Sequence, residues 1–120
     1  MMAQNWQDRA VMMLAILAEQ AKTMSYDEFA TATDVPAPHR IHKLTAFLEE
    51  LIARDIADKK PIRAAVVVSK ITDRPARGFF DAVIEQGGDF KDLHHQPDND
   101  RTRQEAHSQM LQALNPDFSL

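Results

Sequence analysis

The chain contains no cysteine. A disulfide scaffold, a thiolate metal site and a cysteine nucleophile are therefore excluded. Glycine is scarce, at three residues in 120. Two of them, Gly87-Gly88, follow Glu85-Gln86 without the pattern of a loop that cradles phosphate, and read as a helix stop. Long apolar runs are missing too. Residues 10–18 are apolar, but Asp8 and Arg9 precede them and Glu19 follows, far short of the ~18 residues that span a bilayer. No basic n-region with a cleavage site is visible, so the expectation is a cytoplasmic protein. What is present suffices for a core. Hydrophobic residues make up 44% and charged residues 27%, and a domain of this size buries roughly two-thirds of the surface its unfolded chain exposes.

Charge is unevenly placed. The formal net charge is −4, which argues against nonspecific coating of nucleic acid. Residues 39–77 nevertheless hold nine Lys/Arg and five Asp/Glu, whereas the rest holds five and thirteen. A locally basic segment in an acidic chain reads either as an electrostatic footprint for phosphate or as an ordinary solvated surface.

Hydrophobic spacing predicts helices around one short strand. Val11, Leu14, Ala15, Leu17 and Ala18 give a first helix over 8–22. Ser25-Tyr26-Asp27-Glu28 is a capping box, opening a short helix through Ala32 that buries Phe29. Thr33-Asp34-Val35-Pro36 is a turn. Pro36-Ala37-Pro38 opens a third helix expected to run to Asp58, with Ile41, Leu44, Leu48, Leu51 and Ile52 on its apolar side. Ala64-Ala65-Val66-Val67-Val68 reads as a buried strand over 63–69, and 72–78 as a loop. Phe79, Phe80, Val83 and Ile84 mark a further helix. Residues 89–100 form a polar connector, 101–114 a last amphipathic helix, and the tail 115–120 is expected to fray.

Helix, short helix, turn, long helix and strand is the order of a winged helix-turn-helix. The expected fold is mainly α: a single domain over 1–120 with such a core at 8–88, one short strand or hairpin, and flanking N- and C-terminal helices. In this arrangement the third helix enters the major groove and reads base edges near its N-terminus. Here that part carries His39, Arg40, His42 and Lys43. The strand and following loop would form a wing, with Arg63, Lys70, Arg74 and Arg77 along the phosphates.

Ser25-Tyr26-Asp27-Glu28-Phe29-Ala30 is similar to the Thr-Tyr-Gly-x-x-Ala start of the DNA-binding helix-turn-helix in alkyltransferase-like proteins. Asp34-Val35-Pro36-Ala37-Pro38-His39-Arg40-Ile41 resembles that family's turn and the Ala-Arg-Ala-Val opening of its recognition helix. Pro61-Ile62-Arg63 and the apolar run after it echo the next segment. The resemblance covers about 45 residues. It implies that Tyr26 presses on the DNA backbone and that Arg40 enters the minor groove in place of a flipped base. The family's Pro-Cys-His-Arg segment has no counterpart, so alkyl transfer is excluded. The glycine after the motif tyrosine is replaced by Asp27, which would repel a nearby phosphate.

Other constellations favour the plainer reading. His39 and His42 stand at i, i+3, and His94-His95 lies among aspartates, but no zinc-binding spacing fits, so no metal and no cofactor are expected. Asp73, Asp81 and Glu85 read as solvated carboxylates, and Trp6 as a packing residue. No enzyme is implied. The leading expectation is a non-catalytic, DNA-binding transcriptional regulator that uses helix 36–58 and, through its first and last helices, forms a homodimer. The rival is an acidic winged-helix protein-interaction module, or a phage or mobile-element accessory factor, without direct DNA contact.

Overall fold

A computed structural model describes residues 5–118. The chain is mainly helical, as expected, with one very small sheet. Helix α1 (Trp6–Gln20) is capped by Asn5, whose side-chain oxygen accepts from the Asp8 N–H at 2.8 Å. Strand β1 (Met24–Ser25) leads directly into α2 (Tyr26–Ala32). Ser25 is the α2 cap: its hydroxyl oxygen accepts from the Glu28 N–H at 3.2 Å. The Glu28 carboxylate takes the proton of that same hydroxyl at 3.3 Å, closing the predicted box on the side chain.

Helix α3 (Arg40–Ala57) starts four residues later than the sequence suggests. Pro38 bars Ala37 from helical backbone. His39 then adopts φ +60°, so the 36–39 segment is a bend and not a first turn. The apolar side is as predicted: Leu44, Leu48, Leu51 and Ile52 are buried, and so is Asp55. A 3-10 turn (Arg63–Val66) takes up most of the expected strand, leaving β2 (Val67–Val68). β2 pairs in parallel with β1, Met24 against Val67 and Ser25 against Val68. A two-residue partner offers no ladder for a longer strand. Residues 69–74 close on themselves, with Ser69 N–H on the Arg74 carbonyl at 2.8 Å and Asp73 N–H on the Ser69 carbonyl at 2.9 Å.

Helix α4 (Arg77–Glu85) ends at the glycine pair. Gly87 has φ +73°, and Gly88 N–H reaches the Val83 carbonyl at 3.0 Å, the left-handed stop that suits glycine. A side chain at Gly88 would meet the Val83 methyl at 2.7 Å. The connector is not unstructured: Leu93 is buried and anchors a short helix, α5 (Lys91–His95). Helix α6 (Asp100–Leu114) follows, capped by Asn99. The tail is held through Phe118. Asn115 Nδ2 donates to the last carbonyls of α1, Ala18 at 2.9 Å and Glu19 at 3.1 Å, and Phe118 is buried.

The core centres on the 3-10 turn and β2. Helices α1, α3 and α6 all pack on that turn, while α3 also contacts α2 and α4. Residues 64–67 are essentially inaccessible, which accounts for their small and β-branched character. Trp6 packs edge-on against Phe47 at 5.3 Å between ring centres. The apolar face of α6 (Ala106, Met110, Leu111) is turned into this core, so it is not open to a second chain. On α1, Met12 and Ile16 are exposed. Among the described residues no helix is long and apolar enough to cross a membrane.

Candidate functional site

The sequence singles out nine residues for a nucleic-acid surface, and the structure gives most of them work inside the fold. Arg40 folds back over the α2–α3 turn. Its Nε donates to the Val35 carbonyl at 2.8 Å and its Nη2 to the Ala30 carbonyl at 2.9 Å. These are carbonyls at and just beyond the end of α2, where helical partners run out. Arg40 therefore fastens α3 to α2, and the bond to the turn fixes the angle between them. Lys43 Nζ bonds the Pro36 carbonyl at 3.1 Å. His39 and His42 are exposed, beside a shallow cleft shared with Asp27, Thr31 and Ile41.

Arg63 serves a buried carboxylate. The Asp55 side chain is 3% exposed. It accepts the Arg63 backbone N–H at 3.0 Å and Nε at 3.1 Å, and Nη2 lies 2.9 Å from its Oδ1. This bidentate grip pins the start of the 3-10 turn to the last turns of α3. Tyr26, the chain's one tyrosine, is also an internal fastener. Its hydroxyl oxygen accepts the Ala76 N–H at 2.9 Å, joining α2 to the segment before α4. Burial raises the phenol pKa above its ordinary value of 10.0, the Ala76 bond lowers it and the nearby Glu49 charge raises it.

The loop cations divide. Lys70 is exposed, next to the fully exposed Ile71. Arg74 pairs with Asp100, and Arg77 pairs with Asp98 at 2.7 Å. Arg103 reaches the same Asp98 oxygen at 3.2 Å. The nine candidates thus do not form one outward ridge. Six make side-chain bonds within the chain, while His39, His42 and Lys70 are solvent-exposed, the two histidines lining the same cleft as Arg40.

Two residues central to this arrangement, Asp55 and His107, went unremarked in the sequence, and two more, Asp98 and Asp100, were noted there only as carboxylates near His94-His95. Asp55 follows Leu51 by four and Ile52 by three, so the apolar stripe of α3 marked it as an inward carboxylate in need of a partner. His107 falls beside Ala106 on the apolar stripe of α6. For Asp98 and Asp100 the sequence carried no sign of their arginine partners, because a polar connector carries no period.

His107 is 4% exposed. Its Nε2 lies 2.8 Å from the Ala65 carbonyl, and a carbonyl only accepts, so Nε2 carries the proton. Burial pushes the ring pKa down, the Ala65 bond raises it, Arg74 lowers it and Asp73 raises it. The ring borders a cavity of about 450 Å³ with Thr23, Thr72, Asp73, Arg74 and Ser108. No group of three metal-ligating side chains comes together among the described residues. His94 Nε2 bonds the Gly88 carbonyl at 2.7 Å and thereby ties α5 to the glycine stop. No protein-family model matches this chain, and neither a curated protein nor a solved structure does.

Proposed function

We propose that the chain is a non-catalytic protein-interaction module of the cytoplasm, built on a helix-turn-helix scaffold and meeting a basic partner protein without contacting DNA in the state described. One observation carries the reading. The four arginines expected to face a duplex (Arg40, Arg63, Arg74 and Arg77) are all bonded within the chain, Arg40 to two backbone carbonyls and the other three to carboxylates. Direct recognition through α3 would require Arg40 and Lys43 to abandon the carbonyls that hold the α2–α3 turn.

Each of those ion pairs uses a carboxylate as well as an arginine, so the acidic excess of the composition, a formal charge of −4, persists outside them. An acidic surface repels phosphate and steers cationic protein surfaces toward it. The partner class is therefore a Lys/Arg-rich protein, of the kind that itself handles nucleic acid. Glu49 and Glu50 are exposed in the middle of α3, the rigid element best placed to present charge.

Fluorescence anisotropy decides the matter. The wild-type chain should leave a short labelled duplex unbound at low salt. It should bind a Lys/Arg-rich peptide in a salt-sensitive way, weakened by Glu49→Lys with Glu50→Lys. Duplex affinity that falls steeply with added salt would overturn the reading, as would indifference of peptide binding to the two reversals.

A further inference from the structure

Three guanidinium groups from separate parts of the chain converge on the connector after α5 and the first residue of α6. Arg77, the first residue of α4, donates from Nη2 to Asp98 Oδ1 at 2.7 Å. Arg103 of α6 donates from Nη2 to the same oxygen at 3.2 Å. Arg74, from the loop before α4, bonds the Asp100 carboxylate.

The two sides of this clasp are held differently. The Arg74 and Arg103 side chains are 21% and 18% exposed, whereas Asp98 and Asp100 are 70% and 77% exposed. Arg103 has fixings besides Asp98: its Nε bonds the Pro97 carbonyl at 2.6 Å, and its plane lies over the Phe80 ring, 5.6 Å from the centre. Arg74 and Arg103 are thus the seated members, Arg77 is 66% exposed at the rim of the site, and the carboxylates are the outer, replaceable partners. Exposed ion pairs are worth only about 0–1 kcal/mol each, so a competing anion that meets all three guanidinium groups can displace them. Planar guanidinium forks suit phosphate as well as carboxylate. Helix α4 also begins at this point without a side-chain cap, so its positive end adds to the field.

We propose that Arg74, Arg77 and Arg103 form a binding site for the phosphates of a nucleic-acid backbone, closed in this structure by Asp98 and Asp100. The connector acts as an internal stand-in for the phosphates. Asp81, 4.0 Å from Arg77 Nε, and Asp73, beside Arg74, stay with the opened site and restrict it to a short stretch of backbone. This goes beyond the protein-partner reading, which concerns the closed clasp. Wild-type binding to duplex tests that reading, and the opened variant tests this one.

The experiment neutralises the connector with Asp98→Asn and Asp100→Asn in the full chain, with far-UV circular dichroism confirming the fold. A labelled duplex at low salt should then bind at least ~10-fold tighter than to wild type, with a log–log salt slope of about −2 to −3 for three phosphate contacts. A control with the same change of net charge, Glu85→Gln with Asp89→Asn, should not reproduce the gain. Adding Arg74→Ala and Arg77→Ala should abolish it. The single Asp98→Asn variant, which keeps the Arg74–Asp100 pair, should show part of the gain if the double variant is poorly folded. A gain no larger than that of the control overturns the site. So does a gain that survives loss of the two arginines, or binding of inorganic phosphate without binding of duplex.

Discussion

Replacing Arg63 by alanine separates a structural arginine from a phosphate-binding one. Asp55 is 3% exposed and takes N–H groups from the Arg63 backbone, Nε and Nη2. Arg63→Ala removes the guanidinium and leaves the carboxylate with a single backbone donor. Breaking a buried pair by removing one partner costs about 3–5 kcal/mol. The retained backbone bond and the 34% exposure of the arginine side chain place this case near the low end, at ~3 kcal/mol. That is a large part of the ~5–15 kcal/mol that holds a domain together. At ~4 °C per kcal/mol for this chain length, Tm should fall by about 12 °C. In urea the midpoint should drop by about 1–2 M, followed by far-UV circular dichroism. Asp55→Leu combined with Arg63→Met removes both charges and should recover most of the loss. A loss below ~1 kcal/mol for Arg63→Ala would refute the reasoning. An arginine that faced phosphate would give that result, with intact stability and weakened DNA binding.

Three further outcomes are expected. Burial holds the His107 ring below its ordinary pKa of 6.5, so below pH 6.5 the unfolded chain binds the extra proton more readily. Stability should therefore be fullest above pH 6.5 and decline as pH falls toward the folded-state pKa, and His107→Gln should flatten that decline. Equal pH slopes for the two proteins would contradict the assignment. Tyr26 is the chain's one tyrosine and its pKa is raised by burial, so phenolate absorbance should titrate with a midpoint above 10.0; a midpoint at or below that value refutes the buried placement. Arg40→Ala removes two bonds to the α2–α3 turn and should destabilise the fold by about 1–3 kcal/mol, read as a shift in urea midpoint, and an unshifted midpoint would return Arg40 to a solvent-facing role.

Much of the scaffold could be read from periodicity and local chemistry. The Ser25 cap, the buried stripe of α3 and the glycine stop after α4 each depend on residues close in sequence, and each formed. Most errors lay where distant residues decide. The run 64–68 has the composition of a strand, but its available partner is Met24–Ser25, so most of it coils into a 3-10 turn. One error was local: Pro36-Ala37-Pro38 reads as a helix opening, yet Pro38 restricts the residue before it and the left-handed His39 delays α3 to Arg40. The tail looked free because nothing near it signals that Asn115 caps α1, nearly a hundred positions earlier.

The sequence by itself determined the helical class, the lack of thiol chemistry and the concentration of basic residues at 39–77, because composition and periodicity act locally. Only the tertiary structure decided what those basic residues touch. Arg63 meets a carboxylate eight positions away, whereas Arg74 and Arg77 meet carboxylates twenty-six and twenty-one positions away. A count of charges gives the supply of cations, but whether a cation is open to a ligand depends on which carboxylate the fold brings beside it, since attraction falls with distance in space and not along the chain.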